Sequence, residues 1–379
     1  MNTEIKRKLD LTKDLTKKSI FLFGPRQTGK SWLIRHTLNQ YKTYNLLESE
    51  TFLKLSHSPQ RIREECNVQD QVIIIDEIQR LPLLLNEVHL MIEELGMHFL
   101  LTGSSARKLR RGGTNLLGGR AHLRHLHPFS YCELQERFDL NRVINYGLLP
   151  AIYLSETPEA DLKSYIGLYL KEEIAAEGLT RNIPAFSRFL EIAALCNGTM
   201  INYTKIANDA QVARSTIQEY FRILKDTLLA YELPSWNQSQ KRKPISTSKY
   251  YLFDSGVVRA LQNRNTIQTG TTEFGIAFET YIFHELRTFA DYQQINDLYY
   301  WHSTSGYEVD FILGNTAIEV KGSKNISSQD LKNLKALQEE KKLKNYVLVC
   351  LEKEPRIIEQ IQILPWRIFL EKLWGEQLT

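Results

Sequence analysis

Three sets of residues in this chain have the types and spacing to do chemistry. The first is Gly24-Pro-Arg-Gln-Thr-Gly-Lys-Ser31, a Gly-x-x-x-x-Gly-Lys-Ser run. Glycines at both ends let the backbone curl so that its N–H groups face phosphate oxygens. Lys30 is spaced to reach the β/γ-phosphates, and the Ser31 hydroxyl to meet Mg²⁺. Gly24, Pro25, Arg26, Gln27, Thr28, Gly29, Lys30 and Ser31 are therefore the candidate nucleotide-binding residues. The second set is the pair Asp76-Glu77, in which Asp76 would hold the metal through water and Glu77 would polarise the water that attacks the γ-phosphate. The third is Asp310, Glu319 and Lys321. Two carboxylates and a lysine make a metal and water-activating site: Asp310 and Glu319 for Mg²⁺ or Mn²⁺, Lys321 to steady or activate the water.

Each set needs elements to hold it. The apolar run Ser19 to Phe23 precedes the first glycine, and a helical pattern from Lys30 to about Asn39 follows the loop. That helix would add its positive N-terminal end to the anion site. Val72-Ile-Ile-Ile-Asp76 is a continuous apolar strand with its carboxylates at the C-terminal end, where ligands bind in open α/β sheets. Tyr41 to Leu47 reads as a short strand, Ser58 to Val68 as a polar helix, and Met97 to Ser105 as a further strand. Residues 4–18 read as a basic amphipathic helix. The alternation predicts a parallel sheet covered on both faces.

At 379 residues there is room for two or three domains, and 42% hydrophobic with 24% charged residues excludes wholesale disorder. A net charge of +4 allows a local basic face without announcing a nucleic-acid binder. Cys66, Cys132, Cys196 and Cys350 are scattered, which argues against a zinc knuckle or disulfide framework. The charged N-terminus has no apolar signal core, and no stretch approaches the roughly 20 apolar residues that span a bilayer. The expectation is a cytoplasmic protein without a membrane partner.

The Asp-Glu pair selects among nucleotide-binding classes. The D-x-x-G and N-K-x-D runs of GTPases are not found in the expected places. An acid beside the metal-binding Asp resembles the additional-strand ATPases, which include the AAA+ group. In those a further strand lies between the phosphate-loop strand and the Asp-Glu strand, a place Tyr41–Leu47 is expected to take. Thr102, Ser104 and Ser105 are all candidate γ-phosphate sensors, and the sequence alone does not choose among them. Among the arginines from Arg107 to Arg120, Arg120 behind two glycines is the candidate to complete a neighbour's site in a homo-oligomer.

Wider wording carries a family resemblance. Leu101-Thr-Gly-Ser-Ser-Ala-Arg-Lys-Leu-Arg-Arg-Gly-Gly, Gly-Gly-Arg-Ala, His127-Pro-Phe-Ser-Tyr-Cys-Glu-Leu134 and Ile75-Asp-Glu-Ile-Gln-Arg-Leu-Pro82 resemble the prokaryotic AAA-type ATPases with a C-terminal DUF4143 domain. The resemblance covers nearly the whole chain and implies ATP binding and hydrolysis.

Farther on, helical runs at Ala160–Glu177 and Ala185–Cys196 precede a helix-turn-helix pattern, Asn202–Ala210 followed by a helix from about Ser215. Leu228–Trp236, the basic loop Lys241-Arg-Lys243 and Lys249–Phe253 would form a wing. Arg214, Ser215, Gln218, Lys241, Arg242 and Lys243 are the candidate DNA contacts. Thr272–Ala290 reads as a long helix, followed by strands at 298–302, 306–313 and 316–321, a helix at 327–342 and a strand at 346–351. With Asp310, Glu319 and Lys321 in place, this order resembles the restriction-endonuclease-like fold, and the resemblance adds Glu279 as a further acidic metal residue.

The expected architecture is α/β: an AAA+-like parallel sheet over 1–150, a helical and winged-helix domain over 151–250, and a small nuclease-like domain over 251–379. The leading functional expectation is an ATP hydrolase acting on or near DNA, using ATP and Mg²⁺, with a metal-dependent nuclease-like domain. The alternative is an ATP-driven switch whose C-terminal domain only binds a partner. The Asp-Glu pair and the two appended domains weigh against a nucleotide kinase.

Overall fold

The apolar runs around the phosphate loop all fold into one parallel sheet. The computed structural model describes residues 5–67, 70–105, 107, 109, 117–170 and 182–378. The chain divides into two units, Met1–Pro128 with Asp226–Leu228, and Phe129–Lys225 with Leu229–Thr379.

The first unit holds β1 (Ser19–Phe23), β2 (Lys42–Asn45), β3 (Val72–Asp76), β4 (His98–Gly103) and β5 (Ala121–His125). Their order is β2-β3-β4-β1-β5, and every pairing is parallel. β1 and β3 are buried along their whole length, as continuous apolar runs in a two-sided sheet must be. Phe21, Phe23, Ile73, Ile75, Phe99 and Leu101 pack with Leu84, Leu85, Val88 and Met91 of helix Leu84–Leu95.

Three expectations are corrected. The strand between β1 and β3 is β4, while β2 lies at the sheet edge. The reason is burial: β4 is apolar and buried from Phe99 on, whereas Lys42, Thr43 and Asn45 leave β2 partly exposed, which suits an edge. Over residues 5–18 only Thr12–Leu15 is α-helical. Ile5, Arg7, Leu9 and Leu11 are buried there at every second position, the period of an extended chain, and Arg7 is drawn inward to bind backbone carbonyls. The helices after β2 are Ser49–His57 and the short Arg61–Glu64, so the longer one precedes the stretch expected to be helical. Val68 lies outside the described residues. β5, which sequence reading passed over, is a half-exposed strand of alternating small, apolar and basic residues.

In the second unit, helices Ile183–Leu195, Tyr203–Ala210 and Arg214–Asp226 surround a core containing Phe186, Phe189, Ile206, Ile217, Tyr220 and Phe221. The Asn202 side chain caps the second of these, accepting from the Lys205 N–H at 3.0 Å. A hairpin follows, β6 (Ala230–Leu233) against β7 (Lys249–Leu252). Of the helix expected over 160–177, Pro158–Ser164 is α-helical and Tyr165–Leu170 a π-turn; Glu172 and Glu173 lie outside the described residues.

The C-terminal part is a six-stranded mixed sheet of β8 (Leu298–His302), β9 (Glu308–Leu313), β10 (Thr316–Val320), β11 (Asn345–Cys350), β12 (Arg356–Ile358) and β13 (Ile361–Pro365). Its order is β12-β13-β11-β10-β9-β8. The 22-residue helix Thr272–Gln293 precedes it, opened by the Thr271 hydroxyl accepting from the Phe274 N–H at 3.2 Å. The succession of helix, three strands, helix Lys332–Gln338 and strand is the one expected.

The wing is the other departure. The loop between β6 and β7 runs along β8: the Trp236 N–H donates to the Tyr300 carbonyl at 2.7 Å and the Ile245 N–H to the His302 carbonyl at 2.8 Å. The amides of Gln240, Lys241 and Arg242 all donate to the buried Glu340 carboxylate, at 2.8, 2.9 and 3.1 Å. A loop with this many unpaired amides satisfies them on the adjacent sheet edge instead of standing free in water.

Candidate functional site

The phosphate loop begins where β1 ends. Gly24 sits where a Cβ would come within 2.3 Å of the Leu126 carbonyl, so a side chain would force the loop off the sheet. Gln27 and Gly29 take positive φ, 60° and 94°, which turns successive amides to one side as an anion nest. The Thr28 hydroxyl bonds the Pro25 carbonyl at 2.8 Å and closes the turn. Helix Lys30–Thr37 follows directly, aiming its N-terminus into the loop. Lys30 is buried, and its ammonium donates to the carbonyls of Gly24 at 2.7 Å and Pro25 at 3.1 Å.

Two hydroxyls meet one carboxylate beside the loop. Ser31 Oγ donates to Asp76 Oδ2 at 2.9 Å, and Thr102 Oγ1 donates to Asp76 Oδ1. The parallel register explains the pairing: β4 lies between β1 and β3, so a residue at its C-terminal end stands between the loop and Asp76. Thr102 also accepts from the Glu77 N–H at 3.3 Å. Of the three candidate sensors, Ser105 instead donates to the Asp226 carbonyl at 3.1 Å, and Ser104 accepts from Gln79 at 3.4 Å. Glu77 has φ 64° and ψ 44°, a left-handed conformation uncommon for a glutamate and frequent at working sites. Its carboxylate accepts from Gln79 Nε2. Gln79 is packed so closely that a Cβ at Gly103 would lie 2.3 Å from its Oε1. Arg120 is paired with Glu93 of its own chain, both partly exposed.

Sequence reasoning missed Arg7 and Gln79. Arg7 is buried and donates to the Thr28 carbonyl in the loop and to the His127 carbonyl at 2.6 Å. Nothing separates Arg7 from its basic neighbours in the sequence. Gln79 could have been found in the Asp-Glu-Ile-Gln run.

The second unit holds the other set. β9 and β10 pair Phe311 with Ile318, and one step further come Asp310 and Glu319. Asp310 Oδ2 accepts from the Val320 N–H at 2.7 Å. Glu319 is 1% exposed; its Oε1 accepts from Lys321 Nζ at 2.8 Å and Asn333 Nδ2 at 3.3 Å. Its Oε2 is buried with no hydrogen-bond partner among the described residues. Glu279, from helix Thr272–Gln293, accepts from the Tyr251 hydroxyl at 2.6 Å. Burial, with Asp310 beside it, pushes the Glu319 carboxyl up to about 8 and Glu279 up to about 7; burial also raises Asp310.

Two ammonium groups stand among these acids. Burial alone would pull both lysines down, but Glu319 and Asp310 hold Lys321 above its usual range, and Glu279, Asp310 and Glu308 do so for Lys249. Lys249 was not among the expected site residues; it is buried at the start of β7 and ion-paired with Glu308. Among the described residues no three acidic, histidine or cysteine side chains converge in ligating geometry. The donor set nevertheless suits a hard divalent ion, because it is all carboxylate and has one buried oxygen without a donor.

Of the candidate DNA contacts, Arg214, Ser215 and Gln218 lie exposed on the first turns of helix Arg214–Asp226, and Lys241 and Lys243 are exposed on the docked loop. Arg242 is engaged internally, with Glu339 at 2.7 Å and the Ala336 carbonyl at 2.9 Å, its guanidinium 5.1 Å from the Tyr307 ring centre. All four cysteines are free. Among the described residues no helix is long and apolar enough to cross a membrane.

Residues 16–135 match the family model of the AAA domain. Loop, strand order and carboxylate pair thus belong to an AAA-type ATPase domain, a nucleotide-binding class. Residues 137–268 match a domain of unknown function, DUF8612, and residues 274–369 match another, DUF4143, so the chain joins an AAA domain to a C-terminal DUF4143 domain. No curated protein sequence matches it. Among solved structures it is similar to replication initiator DnaA bound to AMPPCP and single-stranded DNA, at 13% identity and TM-score 0.30, over 59% of this chain and 90% of that one. It is also similar to the Aeropyrum pernix ORC1 protein in complex with DNA, at 13% identity and TM-score 0.24, over 66% of this chain and 87% of that one. A third is domain III of the Thermotoga maritima replication initiation protein DnaA, at 14% identity and TM-score 0.26, over 46% and 83%. At such scores these likenesses carry nothing about what this chain does.

Proposed function

We propose that this protein is a cytoplasmic ATP hydrolase that acts on or near DNA, with ATP turnover controlling a metal-dependent, nuclease-like C-terminal site. The observation that carries the ATPase reading is the convergence of Ser31 and Thr102 on Asp76 beside the buried Lys30. In this reading Lys30 leaves the Gly24 and Pro25 carbonyls for the β/γ-phosphates, while the loop amides take the remaining phosphate oxygens. Ser31 and Asp76 would hold Mg²⁺, which supplies positive charge against the phosphate chain. Glu77, released from Gln79, accepts the proton of the attacking water, and Thr102 reports the γ-phosphate to Asp76 and the Glu77 backbone. Arg120, released from Glu93, would complete the site of a second copy.

At the second site Glu279, Asp310 and Glu319 would hold Mg²⁺ or Mn²⁺, which supplies a Lewis acid for phosphodiester hydrolysis. Lys321 orients the water, and Asn333 fixes Glu319. Support is the buried, donor-free Glu319 Oε2. Arg214, Ser215, Gln218, Lys241 and Lys243 would contact DNA, with Arg242 anchoring their loop. A second reading, an ATP-driven switch with an inactive C-terminal domain, is favoured by the two lysines already set among the acids.

One comparison separates the readings. Wild type and the Asp310→Ala/Lys321→Ala double variant are incubated with plasmid or single-stranded DNA and Mg²⁺ or Mn²⁺, with and without ATP. Metal-dependent cutting that the double variant lacks is the expected result. No cutting together with no salt-sensitive DNA binding overturns the DNA reading and leaves the switch.

A further inference from the structure

The carboxylate cluster is not built by one segment. Glu279, Glu308, Asp310, Glu319 and Lys321 lie within residues 274–369, which match DUF4143; Lys249 and Tyr251 come from the hairpin strand β7, within the DUF8612 match at 137–268. β7 carries Lys249 and Tyr251 two residues apart, so both side chains leave the same face of the strand. One reaches Glu308, the other Glu279.

Lys249 is 3% exposed. A lysine ammonium is strongly hydrated and is buried only against compensating charge. Here the compensation comes from several elements: Glu308 and Asp310 of β9, Glu279 of the long helix, and the Tyr300 ring of β8, whose centre is 5.1 Å from Nζ. Glu308 is shared in turn with His302, whose Nδ1 lies 3.3 Å away. The charge of Lys249 also favours the ionised forms of Glu279 and Asp310, two of the three acids assigned to the metal above.

We infer that Lys249 is the resident counter-ion of this site and sets its divalent-ion affinity, so that the middle segment of the chain controls metal loading of the C-terminal one. The inference rests on the metal-site reading above. A fixed ammonium and a divalent ion draw on the same negative charge and repel one another, so the lysine weakens metal binding without touching the metal. Lys321 differs: its side chain is a third exposed and donates to Glu319, which leaves it able to turn away when an ion arrives. Lys249 is 3% exposed and ion-paired with Glu308.

The test is a Mn²⁺ titration of the nucleotide-free full chain, free Mn²⁺ being read by electron paramagnetic resonance. Wild type is compared with Lys249→Met, Lys249→Arg and Asp310→Asn. Lys249→Met is expected to bind Mn²⁺ about tenfold more tightly, Lys249→Arg to stay near wild type, and Asp310→Asn to abolish binding in either background. Lys249→Gln carries the same expectation as the methionine should that variant fail to fold. Equal affinity in wild type and the neutral variants, with Asp310→Asn still abolishing binding, overturns the inference and leaves the metal site standing. Mn²⁺ binding that Asp310→Asn does not affect overturns the metal reading itself. If no variant binds Mn²⁺, both fall.

Discussion

Both candidate sites put a buried carboxylate on a strand, yet they neutralise it differently. Asp76 is met by two hydroxyls, Ser31 and Thr102, and the nearby Lys30 is bonded to backbone carbonyls instead. Asp310 accepts from a backbone amide, and Glu319 from an asparagine and the Lys321 ammonium, while the charge of Lys249, ion-paired with Glu308, also favours the ionised Asp310. Hydroxyls can rotate and give up a carboxylate to a metal with little charge penalty, because no positive charge has to leave. Ammonium groups must move or coexist with the incoming ion. On the proposed function, the first site would accept a metal together with its nucleotide, while loading of the second would depend on its lysines.

The comparison breaks most sharply at Lys30. Lys30→Ala should weaken ATP binding roughly a hundredfold or more, read by titration with a fluorescent ATP analogue. It should leave Mn²⁺ binding at the Asp310 cluster unchanged. Loss of both would mean that the two sites are not separate in the way their residues suggest.

A smaller effect sharpens the role of the lysines. Glu285 lies on the same helix as Glu279 and is fully buried where Glu279 is partly so, and its donors are neutral: the Tyr131 N–H and Trp374 Nε1, both at 2.8 Å. Burial pushes it up to about 7 despite those bonds. An acid whose pKa is higher folded than unfolded contributes its full stability below about 4.5 and loses it as pH rises through about 7. The wild type should therefore lose on the order of 3 kcal/mol across that window through this group. Glu285→Gln, uncharged throughout, should show a flatter dependence of thermal midpoint on pH between those values. Parallel profiles for the two proteins would contradict the assignment.

What was legible in the sequence follows from how local each feature is. The loop from Gly24 to Ser31 and the pair Asp76-Glu77 are contiguous runs whose chemistry needs only their own spacing, and their strands announce themselves by unbroken apolar stretches. Strand order is not local: β4 displaced β2 from the inner position because its side chains are more apolar, a competition no single segment reveals. The same limit hid Arg7, Lys249 and Tyr251. Arg7 meets carbonyls 21 and 120 residues away, and Tyr251 meets Glu279 across two family matches. The wing was readable as a hairpin, but its docking on β8 depends on Glu340, nearly a hundred residues further along.

In the proposed function the first unit hydrolyses ATP with Glu77 as the base. The most direct test is steady-state phosphate release by wild type and Glu77→Gln, alongside ATP binding by each. Glu77→Gln is expected to bind ATP as wild type does and to turn it over about a hundredfold or more slowly. Turnover at the wild-type rate would contradict it.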